Sequence, residues 1–239
     1  MKRLICLSLA AMMVLAVSCK KDNSAAAPKV PDGAVDLGIV MTREDGTTYR
    51  LYWAKSNLSA NGLCANPEDY GDYYAWGETS PKDNYSWSTY KFGTNPSGPF
   101  SKYNTIGSYG TLDSKTVLEP EDDVAHVKLE GKWRMPTDKE WEELRTKCTS
   151  TGTSDYNGTG VGGRLITSPN GNSIFLPFAG FRLETSLNDA GSEGYYWSSA
   201  LDTDRPYRAW QVYLSPGGVF SVTGNGRNYG FSVRPVWEE

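Results

Sequence analysis

The sequence predicts an α+β domain made mostly of short strands, with one clear helix and long irregular loops. Glycine is abundant at 25 residues, aromatic side chains make up 13% of the chain, and hydrophobic residues make up only 38%. Short apolar or alternating segments bounded by turn residues recur along the chain, which is typical of strands. Only one segment carries a complete helix signature, so the class is β-rich rather than helical.

The clear helix is predicted over residues 137–148. Thr137 can cap its N-terminus, and Glu140 follows three residues later, which completes a capping box. Trp141 and Leu144 are three residues apart and share one face of a helix. This face is expected to pack against the core.

The remaining elements are predicted from shorter patterns. A second, short helix is expected at about 122–127, with two aspartates at its positively polarised end. Residues 55–120 show no sustained period and carry many aromatic side chains, which are expected to hold this long stretch together. The candidate strands are Val35–Val40, Thr48–Ala54, Arg164–Ser168, Ser173–Pro177, Tyr195–Ser199, Ala209–Leu214, Val219–Val222 and Phe231–Val236.

Several large side chains in or beside these elements are expected in the core. Arg134 and Arg234 lie within apolar strings, so each is expected to be paired inside the domain. The tryptophans expected in the core are Trp133, Trp141, Trp197, Trp210 and Trp237.

The N-terminus has the pattern of an export signal. Lys2 and Arg3 precede the apolar run Leu4–Val17, which is shorter than the roughly 20 residues that span a bilayer but suits a signal peptide. The run ends in Leu-Ala-Val-Ser-Cys, which resembles a lipobox. It predicts a signal peptide over 1–18 and lipidation of Cys19, whereas ordinary cleavage near residues 25–27 is the alternative.

The predicted domain organisation follows from this signal. Residues 19–33 read as a flexible tether, and residues 34–239 as the folded domain. The expected location is the outer membrane, with a lipid anchor and the domain at the cell surface. Export permits a disulfide between Cys64 and Cys148, and two separate buried thiols are the alternative.

Charge limits the kinds of partner. The chain has 28 acidic and 24 basic residues, a net charge of −4. This argues against a nucleic-acid partner, which would need a basic face.

Six strings occur in an order that resembles a known family. The resemblance is to the Fibrobacter succinogenes major paralogous domain family, which is common in exported Bacteroidetes proteins, and it covers about residues 34–237. It implies a C-type-lectin-like fold, which is shared with formylglycine-generating enzymes and with the variable proteins of diversity-generating retroelements. The strings are Tyr70-Gly71-Asp72-Tyr73-Tyr74-Ala75-Trp76-Gly77-Glu78, Asp122-Asp123-Val124-Ala125, Lys132-Trp133-Arg134-Met135-Pro136-Thr137 with Glu140-Trp141, Leu176-Pro177-Phe178-Ala179-Gly180, Tyr195-Tyr196-Trp197-Ser198-Ser199 and Gly230-Phe231-Ser232-Val233-Arg234-Pro235-Val236.

No residue constellation predicts an enzyme. His126 is the single histidine, and no Gly-x-Ser-x-Gly nucleophile elbow occurs. The resemblance to formylglycine-generating enzymes does not extend to their late reactive cysteines, because no cysteine follows Cys148. An acidic cluster could offer oxygen ligands to Ca²⁺, but a charged helix N-terminus is the favoured interpretation, so neither a metal nor a cofactor is predicted. The cluster comprises Glu119, Glu121, Asp122 and Asp123.

The segment between Tyr195 and Gly230 has the composition of a binding surface. Aromatic and arginine side chains at turn-rich positions are typical of binding hot spots and of antibody paratopes. Compared with the resembled family, asparagines are replaced here, as in a region diversified at adenine-containing codons, and unselected loop drift is the alternative. The candidate ligand-binding residues are Asp202, Asp204, Arg205, Tyr207, Arg208, Tyr213, Phe220, Asn225, Arg227 and Tyr229.

These expectations combine into a functional hypothesis. The chain is expected to be a lipid-anchored cell-surface binding protein, whose face over residues 200–229 recognises a protein or a glycan. The residues expected to form one partly exposed patch are Tyr207, Arg208, Tyr213, Phe220 and Tyr229. The alternative is a carbohydrate-binding module or lectin that uses exposed rings such as Trp87 and Tyr85.

Overall fold

The structure, a computed structural model, describes residues 30–239. The predicted signal peptide, the predicted lipidation site Cys19 and most of the predicted tether lie outside the described residues. Within the described part, no helix has both the length and the apolar character needed to cross a membrane.

Small antiparallel sheets and two helices make up residues 30–239, which confirms the α+β class. The helices are α1 (Val124–Lys128) and α2 (Asp138–Lys147). The strands are β1 (Ala34–Thr42), β2 (Thr48–Ala54), β3 (Leu58–Ser59), β4 (Gly62–Leu63), β5 (Trp133–Arg134), β6 (Thr149–Thr153), β7 (Gly163–Thr167), β8 (Ser173–Pro177), β9 (Phe181–Leu183), β10 (Ser186–Asn188), β11 (Gly194–Leu201), β12 (Arg208–Leu214), β13 (Phe220–Gly226) and β14 (Val236–Glu238).

Residues 30–239 form five sheets, of which β3-β4 and β9-β10 are two-stranded and the other three are larger. One has the order β1-β2-β14-β5, so that the last strand pairs with an early one, and Val236 lies opposite Trp53. The second is β6-β7-β8 and the third β11-β12-β13. The predicted strand Phe231–Val236 is wrong over most of its length, since Phe231 makes an isolated bridge to Tyr74 and pairing as a strand begins only at Val236. Pro235 lacks the N–H that a strand ladder needs.

The predicted capping box of α2 is confirmed. The Glu140 N–H donates to Thr137 Oγ1 at 3.2 Å, and the Thr137 N–H donates to Glu140 Oε2 at 2.8 Å. Trp141 and Leu144 are fully buried. The helix therefore begins and packs as its sequence indicates.

Replacing Thr137 with alanine is expected to lower the free energy of unfolding by about 1 kcal/mol, because the first turn loses its side-chain acceptor. Denaturant titration measures this change. A matched control is Thr146→Ala, at an exposed position near the helix C-terminus. Equal stability of the Thr137 variant and the wild type would show that the cap contributes nothing.

The short helix begins two residues later than predicted. A 3₁₀ turn covers Pro120–Asp122, and α1 starts at Val124 because the Asp123 side chain caps it, accepting from the Ala125 and His126 N–H groups. Asp123 also accepts from the Met135 N–H at 2.8 Å. One buried carboxylate thus joins the helix to the segment that leads into α2.

Two apolar clusters form the core. The first gathers rings of the long loop region around Trp197, and the second packs α2 against the sheets around Trp141. Trp133, Trp141 and Trp197 are buried as predicted. Trp210 and Trp237 are only half-buried: Trp210 lies in a cleft beside α2, and the Trp237 ring packs edge-on against Trp133 at 5.7 Å.

The two arginines expected to be paired inside have different partners. Arg134 forms ion pairs with Glu140 and Glu238. Arg234 is fully buried and donates to three neutral acceptors, namely Asn57 Oδ1, the Ala54 carbonyl and the Phe175 carbonyl. Burial lowers the pKa of Arg234 to about 10.

The possible disulfide is not formed, since Cys64 and Cys148 are both free thiols. Cys64 follows the β3–β4 hairpin, where its N–H donates to the Asn57 carbonyl. Cys148 ends α2 and packs against the second apolar cluster. Burial raises the pKa of the Cys148 thiol to about 11, so it stays protonated at neutral pH.

Candidate functional site

The β11–β12–β13 sheet positions most of the predicted ligand-binding residues. The connection from β11 to β12 carries residues 202–207, and the chain leaves β13 through residues 227–229. Because β12 and β13 are antiparallel and Arg208 lies opposite Gly226, both connections emerge at the same end of the sheet. This register brings Tyr207 and Tyr229 together although 22 positions separate them.

Four of the predicted residues line one shallow cleft of about 290 Å³ at this end. The cleft also includes Trp87, one of the rings that the alternative, sugar-binding function would use. We call it the aromatic cleft; its residues are Trp87, Pro96, Tyr207, Arg208, Asn225, Gly226 and Tyr229. The side chains of Trp87, Tyr207, Arg208, Asn225 and Tyr229 are all half-buried.

Stacked rings support the aromatic cleft from below. Tyr207 stacks on Tyr109, with centroids 6.2 Å apart and planes 28° from parallel. Tyr109 stacks in turn on Phe100 at 6.2 Å and 13°. Trp87 contacts Phe100 at 6.0 Å and Tyr90 at 5.6 Å. Aromatic side chains of the long loop region therefore pack against one another, as predicted. These contacts hold the Trp87 and Tyr207 rings of the cleft in place.

Arg227 is not a ligand-facing residue, which corrects the sequence prediction. It is fully buried. Its guanidinium donates to the Pro206, Tyr103 and Lys102 carbonyls at 2.8, 3.1 and 3.1 Å and to Tyr90 Oη at 2.9 Å. Four rings surround it, with centroids 4.8–5.8 Å away, namely Trp76, Tyr90, Phe92 and Phe100.

The role of Arg227 is to position the aromatic cleft. Its side chain holds the carbonyl of Pro206, and its own N–H donates to the Tyr207 carbonyl at 3.1 Å. Both contacts act on the backbone that carries the Tyr207 ring. Arg227 therefore joins the long loop region to the end of the β11–β13 sheet.

Asp202 is also buried, at 2% exposure, so its prediction as a ligand-binding residue is wrong. Arg205 Nε lies 3.0 Å from Asp202 Oδ2, and the Asp202 N–H donates to the Arg208 carbonyl. Asp204 and Arg205 are exposed. The turn therefore presents Asp204 and Arg205 to solvent, while the contacts of the buried Asp202 hold the two ends of the turn together.

Tyr213 and Phe220 do not join the aromatic cleft. Tyr213 lies five residues along β12 from Arg208, about 16 Å at the usual strand rise. It donates to Glu193 Oε1 at 2.7 Å. Phe220 lies opposite Leu214 and packs against the second apolar cluster, so it faces the opposite side of the sheet from Tyr213. The predicted single patch is therefore wrong in these two members.

The acidic cluster is neutralised by lysines. Lys102 lies within 3.2 Å of carboxylate oxygens of Glu119, Glu121 and Asp122, while Lys115 pairs with Glu119 and Lys91 with Asp122. Hydrogen bonds from Lys102 and Lys115 lower the pKa of Glu119 to about 2. The carboxylate oxygens that would coordinate a metal cation therefore already contact lysine ammonium groups.

Of the two rings predicted to bind a sugar in the alternative function, Tyr85 is not accessible. Tyr85 is 1% exposed, and its hydroxyl donates to the Tyr73 carbonyl at 2.6 Å, so the ring cannot stack on a saccharide. Trp87 remains available at the aromatic cleft. Both candidate functions therefore converge on the same surface.

Comparisons with protein-family models, with characterised proteins and with solved structures find no match to this chain.

Proposed function

We propose that this chain is a lipid-anchored binding protein of the outer membrane, and that a C-type-lectin-like domain presents the aromatic cleft to a ligand at the cell surface. The observation that carries the proposal is the convergence of Tyr207, Arg208, Asn225 and Tyr229 with Trp87 on a ladder of stacked rings. Rigid aromatic side chains beside an arginine are the usual anchors of binding hot spots, because little conformational entropy is lost on contact.

A protein ligand is the first candidate. The exposed Asp204 and Arg205 flank the cleft and offer both signs of charge to a partner surface. The resemblance to retroelement-diversified proteins supports variation at exposed positions. Arg227 and Asp202 are excluded from such variation, because their burial and contacts support the fold.

A glycan is the second candidate, and Trp87 favours it. A half-buried indole at the rim of a shallow cleft can stack on the apolar face of a sugar ring, with Arg208 and Asn225 as hydrogen-bonding groups. Neither candidate requires a metal, a cofactor or a reaction.

The neighbouring DNA separates the candidates. A diversified receptor requires a reverse-transcriptase gene and a near-copy of the 3′ coding end. We expect differences between the two copies at the codons for the exposed Asp204 and the half-buried Tyr207 and Arg208, and none at the codon for the fully buried Arg227. Differences concentrated at codons for buried residues would contradict diversification. The absence of a near-copy would also contradict it, and either result would favour a glycan as the ligand.

The anchor is tested by Cys19→Ala. We expect the variant to leave the membrane fraction, because the acyl chains that hold the protein are attached to this residue. The matched control is Cys6→Ala, within the predicted signal peptide, which should leave the mature protein membrane-bound. Membrane partitioning of the Cys19 variant, with no labelled fatty acid on the wild type, would contradict the anchor.

A further inference from the structure

A second and larger cavity lies at the opposite end of the β12–β13 hairpin. It has a volume of about 680 Å³ and lies between β6, the start of β7 and the turn Pro216–Gly218. That turn joins β12 to β13 at the end away from Arg208, so the cavity is separate from the aromatic cleft. Its volume is in the range of pockets that hold small molecules, about 300–1,000 Å³. We call it the Arg164 pocket.

Arg164 lines this pocket as a buried cation, and no carboxylate within residues 30–239 forms an ion pair with it. It is 4% exposed. Nε donates to Ser150 Oγ at 2.6 Å, Nη2 to the Ser150 carbonyl at 2.7 Å, and Nη1 to the Ser215 carbonyl at 3.2 Å. All three acceptors are neutral, and these bonds use three of the five guanidinium N–H groups. Two donors remain for a ligand.

The lining of the pocket favours an anion. Among residues 30–239 no acidic side chain lines it, although acidic residues outnumber basic ones in the chain. Arg227 and Arg234 are also buried on neutral acceptors, but both are fully enclosed, whereas Arg164 lines a cavity that a ligand can enter. A buried charge without a partner is unfavourable, and an incoming carboxylate would relieve that cost through a bidentate, charge-assisted contact.

The rest of the lining suits a ligand that carries hydroxyl groups. Ser150 and Ser154 are the hydroxyl-bearing residues of this lining beside the arginine, and the Ser150 hydroxyl lies on the same face of β6 and β7 as Arg164. Tyr70 and Phe178 add aromatic surface, and glycines at the rim leave backbone groups accessible. Hydroxyl groups, ring surface and one arginine together match a small ligand with several hydroxyls and one carboxylate.

We propose that the Arg164 pocket binds a sugar acid, whose carboxylate contacts the Arg164 guanidinium and whose hydroxyls bond to Ser150 and Ser154. The site is independent of the aromatic cleft. It would give the protein a second specificity, for an acidic saccharide, beside the ligand of the cleft.

The probe is glucuronate, titrated into the full chain in detergent micelles and followed by calorimetry, with glucose and inorganic phosphate as comparison ligands. We expect glucuronate to bind at least about tenfold more tightly than either, a difference of about 1.4 kcal/mol. Equal binding of glucose would show that the carboxylate is not recognised. Equal or tighter binding of phosphate would show a general anion site, and undetectable glucuronate binding at about 10 mM would exclude the site; each result overturns the proposal.

Gly152→Val blocks the pocket without removing Arg164. A Cβ at Gly152 would lie 3.7 Å from Arg164 Nη1 and 3.6 Å from the Pro216 carbonyl oxygen, both ordinary contacts, and a branched side chain suits this strand position. We expect at least a tenfold loss of glucuronate affinity with an unchanged melting temperature. The control is Gly107→Val, where an added Cβ meets no atom within 4 Å. Unchanged glucuronate affinity in the Gly152 variant would overturn the proposal and leave the aromatic cleft unaffected.

Arg164→Met is the complementary variant. It removes the guanidinium, and glucuronate affinity is expected to fall to that of glucose. Its bonds to Ser150 and Ser215 are lost as well, so its stability is measured in parallel. Retained discrimination between glucuronate and glucose in a folded Arg164 variant would overturn the proposal.

Discussion

Replacing Arg227 with methionine is expected to lower the free energy of unfolding by about 3–5 kcal/mol. Methionine fills a similar volume, so the loss comes from three backbone carbonyls and Tyr90 Oη that lose their donor inside the protein. Leaving a buried polar group unsatisfied costs about 1–3 kcal/mol, and several are affected here. Denaturant titration followed by tryptophan fluorescence measures the change.

The matched control is Arg145→Met on the exposed face of α2. Arg145 pairs with Glu142 three residues before it, and exposed pairs of this kind contribute about 0.5 kcal/mol or less. A loss below about 1 kcal/mol for the Arg227 variant would mean that the loop region does not depend on this arginine.

A joint change of Tyr207 and Arg208 to alanine is expected to weaken binding to the cell-surface ligand by 2 kcal/mol or more, about 30-fold. The reason is that Tyr207 supplies one of the three aromatic rings of the aromatic cleft and Arg208 supplies its cation. Because both are half-buried, and Tyr207 stacks on Tyr109, stability is expected to fall by about 1 kcal/mol, more than at a fully exposed site. Thermal unfolding and a binding titration separate the two effects.

Tyr213→Ala is the control for this change. Tyr213 is half-buried on the same strand but lies about 16 Å from Arg208. It should leave ligand affinity unchanged. Equal losses from the Tyr213 variant and from the joint variant would contradict the assignment of binding to the cleft and restore the single patch that the sequence predicted.

Local signals in the sequence predicted several elements correctly. The capping box of α2 needs only Thr137 and Glu140, three residues apart, and both predicted bonds are present. Strands β2 and β8 have the predicted bounds because their apolar runs end at turn residues. Strand β6 was missed, since its sequence Thr-Ser-Thr-Gly-Thr is polar and pairs on one edge only.

Contacts between distant segments were not predictable from the sequence. Arg227 stands in the polar string Asn-Gly-Arg-Asn, which indicates a loop, yet rings more than 120 residues earlier bury it. Trp87 and Tyr207 reach one cleft only because the long loop region folds over the end of the sheet. No local pattern carries that information.

The position of Phe220 depends on register. The turn Pro216–Gly218 sets Phe220 opposite Leu214, and this pairing places its ring on the face of the second apolar cluster. A shift of one residue would have placed it beside Tyr213 instead. The composition of the segment indicates binding, but only the pairing shows which side chains share a face.

Photocross-linking from position 207 tests the central claim most directly. A benzophenone side chain in place of Tyr207, on protein displayed by intact cells, is expected to yield a covalent adduct with the ligand, whose mass identifies it as protein or glycan. The control is the same side chain at Val127, which is 48% exposed on α1 and lines neither the aromatic cleft nor the Arg164 pocket. An adduct from position 207 and none from position 127 is the predicted result. No adduct from position 207, or equal yields from both positions, would contradict the account.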